Sequence, residues 1–84
     1  MMLMKTRDES LKLLKQEIAS ETGIPLSDIE DSSSFFGLGL NSISAVFILD
    51  VLEKKLQVEM NPLFFWDYPT VELLADYLTS LTRK

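Results

Sequence analysis

The stretch FFGLGLNSISAVFILDVLEKKL, residues 35–56, decides the reading of the chain. Gly37 and Gly39 mark a turning segment, and Asn41-Ser42 supplies residue types that cap helix N-termini. Ala45, Ile48, Leu49, Leu52 and Leu56 then recur at the spacing of one helical face. The pattern predicts a helix from Asn41 or Ser42 to Leu56. A second apolar line, Ile43, Phe47 and Val51, runs beside that face, with Asp50 and Lys54 close to it. The helix is therefore apolar on more than one side.

Working toward the N-terminus, Thr6-Arg7-Asp8-Glu9 has the T-x-x-E form of a capping box. Leu11, Leu14 and Ile18 follow at helical spacing, and Gly23 and Pro25 stop the element, so a first helix is predicted over about Arg7 to Thr22. Residues 24–41 form a long connection, in which Ser27-Asp28-Ile29-Glu30 could cap one short turn. Its acids do not make a calcium loop. Counting from Asp28, the sixth and twelfth positions are Ser33 and Gly39, where an EF-hand needs glycine and glutamate. Toward the C-terminus, Asn61-Pro62 opens a short helix over Leu63 to Trp66, and Tyr68-Pro69 breaks it. Thr70 caps a last helix whose buried side is Val71, Leu74, Ala75, Leu78 and Leu81. No β-alternation or repeat is present. The expected fold is all-α: a small four-helix bundle of three long helices and one short one, with a long loop between helices one and two. Residues 1–84 read as a single domain whose ordered core spans about 7–81.

The composition narrows function by exclusion. The chain has no cysteine and no histidine, which removes disulfides, thiolate metal sites and Ser-His catalysis. MMLMKTRDES has acids where an export signal needs its apolar region, and the run AVFIL is far too short to span a bilayer. A cytoplasmic monomer is expected. Net charge is −5, and residues 16–80 hold nearly all the acids against only Lys54 and Lys55. That body repels nucleic acid and suits either plain solubility or a partner with a basic docking face.

Ser42 is the residue that needs an account. A nucleophilic serine requires a base and oxyanion donors, and neither a histidine nor a G-x-S-x-G elbow is present. No catalytic residue is expected. A serine at a helix N-terminus is exposed, and the free N–H groups there favour an anionic substituent such as a phosphodiester. Ser42 or Asn41 could equally serve only as the cap.

The wider pattern favours the first use. G-L-N-S-I, residues 39–43, resembles the G-x-D-S-L signature of acyl carrier proteins. W-D-Y-P-T, residues 66–70, followed by V-E-L-L-A-D-Y-L, is similar to the F-[DE]-x-P-T-x-x-x-L-A-x-x-L end of polyketide-type carriers. The order of helices agrees over about residues 7–81. The resemblance implies that a phosphopantetheinyl transferase, using Mg²⁺, attaches 4'-phosphopantetheine from coenzyme A to Ser42, flanked by Gly39, Leu40 and Asn41. It further implies that the thiol of that arm carries acyl groups as thioesters among partners such as a ketosynthase, an acyltransferase or an adenylating enzyme. The chain itself would not be an enzyme, since the reactive sulfur belongs to the cofactor.

One departure stands out. The family has aspartate before the serine, and Asn41 here keeps the capping ability without the charge that would favour a transferase's metal or basic surface. The expected partner-recognition residues are Ile43, Val46, Phe47, Asp50, Val51 and Lys54. A free-standing carrier of polyketide or mixed polyketide/nonribosomal peptide biosynthesis is expected, with fatty-acid, aryl or peptidyl carriers as alternatives. An unmodified helical interaction module is the alternative of another class.

Overall fold

Thr6 and Glu9 do form the capping box. The Glu9 N–H donates to Thr6 Oγ1, and the Thr6 N–H donates to Glu9 Oε1. Helix α1 follows over Arg7–Thr22 and closes where the Gly23 N–H donates to the Ala19 carbonyl. The computed structural model describes residues 6–61 and 63–82. The readings placed on residues 1–5 and on Pro62 lie outside the described residues.

A 3₁₀ turn, Leu26–Asp28, comes next, then α2 over Ser42–Leu56, a four-residue α3 over Phe64–Asp67, and α4 over Val71–Thr82. The described residues are all-helical, with no strand and one isolated bridge, Ser34 to Thr70. Two local expectations shift. The 3₁₀ turn starts one residue before Ser27 and has no side-chain cap, because Pro25 fixes the entry and the Asp28 N–H bonds the Pro25 carbonyl. The short helix lies one residue later than expected. Asn61 nonetheless organises its entry, accepting the Leu63 N–H on Oδ1 and the Phe64 N–H on its carbonyl.

Packing centres on α1, which contacts both α4 and α2. Leu14 and Ile18 of α1, Leu52 of α2, and Val71, Ala75 and Leu78 of α4 have no exposed surface. Each buried Leu or Ile of this kind contributes about 1.5–3 kcal/mol relative to exposure. The predicted stripe of α2 is buried in full: Ala45, Ile48, Leu49, Leu52 and Leu56. Where α1 meets α4 the core is polar at one point. Buried Thr79 and Ser10 meet hydroxyl to hydroxyl at 2.9 Å, which satisfies groups that would otherwise destabilise the interface. Ion pairs stitch the rim: Arg7 with Asp76, and Lys55 with Glu17.

The long connection is pinned and packed. Ile29, Phe35 and Leu40 insert into the core. Its carbonyls also complete the N-terminus of α4. The Val71 N–H donates to the Ser33 carbonyl and the Glu72 N–H to the Asp31 carbonyl. The Leu73 N–H bonds Thr70 Oγ1, and the Leu74 N–H makes the first intrahelical bond, to the Thr70 carbonyl. The three first-turn amides that precede that bond, those of Val71, Glu72 and Leu73, are thus all satisfied. The Phe35 N–H donates back to the Pro69 carbonyl, and Lys15 reaches Asp31 from α1. This lattice fixes the loop that delivers the chain to Ser42.

Candidate functional site

The approach to Ser42 is a run of tight turns. The Phe35 carbonyl accepts from Leu38 and Leu40, and the Phe36 carbonyl accepts from Gly39. Gly39 has φ +85°, a left-handed conformation that side-chain-bearing residues adopt at a cost. At Gly37 the constraint is space. A Cβ there would stand 2.6 Å from Ser34 Oγ, the oxygen that accepts the Gly37 N–H. Leu40, buried in the core, anchors the last residue before the N-cap.

Asn41 is the N-cap of α2. Its extended backbone turns the chain, its Oδ1 accepts the Ser44 N–H at 2.9 Å, and its carbonyl accepts the Ala45 N–H at 2.9 Å. Ser42 is therefore the first helical residue and is not consumed by capping. Its side chain is exposed and has no hydrogen-bond partner among the described residues. The N–H groups of Ser42 and Ile43 precede the first intrahelical bond and lie at the positive end of the helix dipole. Ser44, two residues on, is half-buried.

Beside Ser42, Ile43 is 71% exposed, Val46 49% and Phe47 57%. Together with Ser42 and Asp50 they line an open, predominantly apolar groove of about 420 Å³. Asp50 pairs with Lys54 one turn later at 3.2 Å. Val51 turns away from this exposed line and is half-buried. The structure thus brings Ile43, Val46, Phe47 and Asp50 together at the serine, and sets Val51 and Lys54 further from it.

A second apolar feature escaped the sequence reading. Phe36 of the loop and Trp66 of α3 approach with ring centroids 5.2 Å apart, although both stay about half exposed. Phe36 follows the fully buried Phe35, and no periodicity in a loop distinguishes the two. On the far side of α3, Tyr68 stacks on Tyr77 at 4.4 Å and Phe64 meets Tyr77 edge-on at 4.8 Å, which fastens the short helix to α4.

A family model described as the phosphopantetheine attachment site matches residues 12–78. The chain belongs to this phosphopantetheine-binding carrier family, whose members hold a covalently attached 4'-phosphopantetheine. Its curated relatives include polyketide synthases. It is 37% identical over 73 residues to the norsolorinic acid synthase of Dothistroma septosporum, covering 84% of this chain and 3% of that protein. It is 32% identical over 74 residues to a phenolphthiocerol/phthiocerol polyketide synthase of Mycobacterium tuberculosis, covering 88% and 4%. The chain thus spans only a few per cent of the length of these relatives. Among solved structures, a free-standing peptidyl carrier protein of Acinetobacter baumannii superposes with a TM-score of 0.84 at 31% identity, over 88% of this chain and 92% of that one. The HMG-ACPI domain of the CurA module from Lyngbya majuscula gives 0.86 at 26% identity, over 92% and 78%.

The residues present fit such a group. An unengaged hydroxyl stands at a helix start, two amides outside the intrahelical ladder lie beside it, and an apolar groove adjoins it. Among the described residues no His/Cys/Asp/Glu cluster could hold a metal, and no helix is long and apolar enough to cross a membrane.

Proposed function

We propose that Ser42 is the attachment residue and that the chain acts as an acyl carrier in polyketide or mixed polyketide/nonribosomal peptide assembly. The observation that carries this reading is the division of labour at the start of α2. Asn41 takes the capping bond, so exposed Ser42 keeps its hydroxyl available. When bound, the prosthetic group supplies a flexible arm whose terminal thiol holds acyl chains as thioesters. The chain's own residues do the rest. The Ser42 and Ile43 amides face a substituent carrying phosphate charge, Gly39 and Leu40 hold the turn rigid, and Ile43, Val46 and Phe47 form the docking surface. Asp50 and Lys54 border that surface, with Val51 supporting it from beneath.

Nothing among the described residues activates Ser42. The chain has no histidine, and the Ser42 hydroxyl has no partner there, so the base that takes its proton belongs to a second protein, a phosphopantetheinyl transferase. Catalysis of acyl loading and processing likewise belongs to partners such as a ketosynthase, an acyltransferase or an adenylating enzyme. Incubation with coenzyme A, Mg²⁺ and a broad-specificity transferase, followed by fragmentation of the peptide that holds both Ser42 and Ser44, tests the assignment. The added mass is expected on Ser42. An adduct on Ser44 would contradict it.

A further inference from the structure

We infer that the enzyme acting at Ser42 docks on this chain through an uncharged, apolar socket rather than through a basic face. The inference rests on the proposed attachment at Ser42 and adds the chemistry of the partner. An enzyme that forms a bond to the Ser42 oxygen must cover its immediate neighbours, which are Asn41, Ile43, Val46 and Phe47, with Asp50 in the same groove. Asp50 alone is charged, and Lys54 pairs with it. Ile43, Val46 and Phe47 are the exposed large apolar residues of α2, and they form one contiguous i, i+3, i+4 surface beside the serine.

The overall charge of −5 points toward a basic partner, but the fold withholds that charge from this surface. The first turn of α2 contains no acid. All four charged side chains of the helix are engaged within the chain, two acids against two lysines. Asp50 pairs with Lys54 at 3.2 Å, Lys55 with Glu17 at 2.8 Å, and Glu53 accepts the Met60 N–H at 2.9 Å. An ion pair acts on a partner as a dipole, whose field falls faster with distance than that of a lone charge. The position before the serine is also neutral, because Asn41 stands there. What the surface offers is apolar area, and burying it is the driving force available to a partner.

The test is docking measured apart from transfer. Ser42→Ala removes the attachment oxygen and keeps the surface, so its binding to a broad-specificity phosphopantetheinyl transferase is titrated alongside wild-type modification. Affinity is expected to change less than about threefold between roughly 0.05 M and 0.5 M salt, a range that collapses charge steering. On the Ser42→Ala background, Phe47→Ala should weaken binding about tenfold or more, with circular dichroism confirming an intact fold. Val46→Glu is the sharpest variant: a carboxylate facing an apolar socket loses affinity, whereas one facing a basic surface gains it. A gain with Val46→Glu, or a tenfold loss with salt while Phe47→Ala binds normally, overturns the inference and leaves the attachment reading untouched. Salt-insensitive docking through Phe47 without any transfer to wild-type Ser42 sinks the attachment reading and, with no enzyme acting at Ser42, this inference with it. Absence of both binding and transfer rejects both.

Discussion

Asn41 Oδ1 accepts the Ser44 N–H at 2.9 Å, so the cap of α2 is the residue before the candidate attachment serine and not the serine itself. That single bond separates a structural role from a chemical one in adjacent positions. Removing it should cost stability. Asn41→Ala is expected to lower unfolding free energy by about 1 kcal/mol, while Asn41→Asp, which caps equally well, should melt close to the wild type. Thermal denaturation of the two variants checks this. Equal losses in both would mean the bond does not hold the helix start.

Two phenylalanines a dozen residues apart should behave very differently. Phe35 is 1% exposed and belongs to the core, whereas Phe47 is 57% exposed. Phe35→Ala is expected to cost about 3–5 kcal/mol, much of the stability of so small a domain. Phe47→Ala should leave the melting temperature nearly unchanged and impair acyl transfer to or from a partner. A collapsed Tm for Phe47→Ala would make it a core residue.

That contrast shows what the sequence conceals. The buried stripes of α1, α2 and α4 are legible because a 3.6-residue repeat is a local signal, and the caps at Thr6 and Thr70 are legible because capping is local chemistry. The sequence leaves the α2 cap open between Asn41 and Ser42, and the fold gives the Ser44 N–H to Asn41. The loop is different. Its order comes from the Ser33 and Asp31 carbonyls meeting the Val71 and Glu72 amides, and from Phe35 entering the core while Phe36 turns out to Trp66. Those partners are remote in sequence, and backbone carbonyls carry no residue-specific mark. The balance of Asp50 and Glu53 by Lys54 and Lys55 is legible along α2, but the pairing of Lys55 with Glu17 of α1 is not, since only the fold brings those two together.

Gln57 ends α2 at φ 56°, ψ 42°, the one non-glycine residue with positive φ among those described. A left-handed conformation costs a residue with a Cβ roughly 1 kcal/mol, partly offset by the greater unfolded-state entropy of glycine. Gln57→Gly should therefore raise Tm by a few degrees, whereas Gln57→Val should lower it. Denaturant midpoints provide the check, and a fall for the glycine variant would contradict the strain argument.

Asp31 links the loop to α1, and its carboxyl is held below the ordinary carboxylate value, chiefly by the hydrogen bond from Lys15. Because the folded value is the lower one, the pair's stabilisation is complete above about pH 4 and is lost as pH falls through that lowered value. Lys15→Gln should therefore destabilise the domain at neutral pH in low salt. The difference from wild type should shrink in high salt and vanish in strong acid. A difference that survives acidification would show that Lys15 acts by packing and not by charge.

The central claim is that Ser42 receives the arm, and intact-mass measurement tests it most directly. After incubation with coenzyme A, Mg²⁺ and a broad-specificity transferase, the wild-type chain should gain the mass of one phosphopantetheine, and Ser42→Ala, equally helical by circular dichroism, should gain none. A modified Ser42→Ala, or a folded wild type that never gains the mass, would contradict the account.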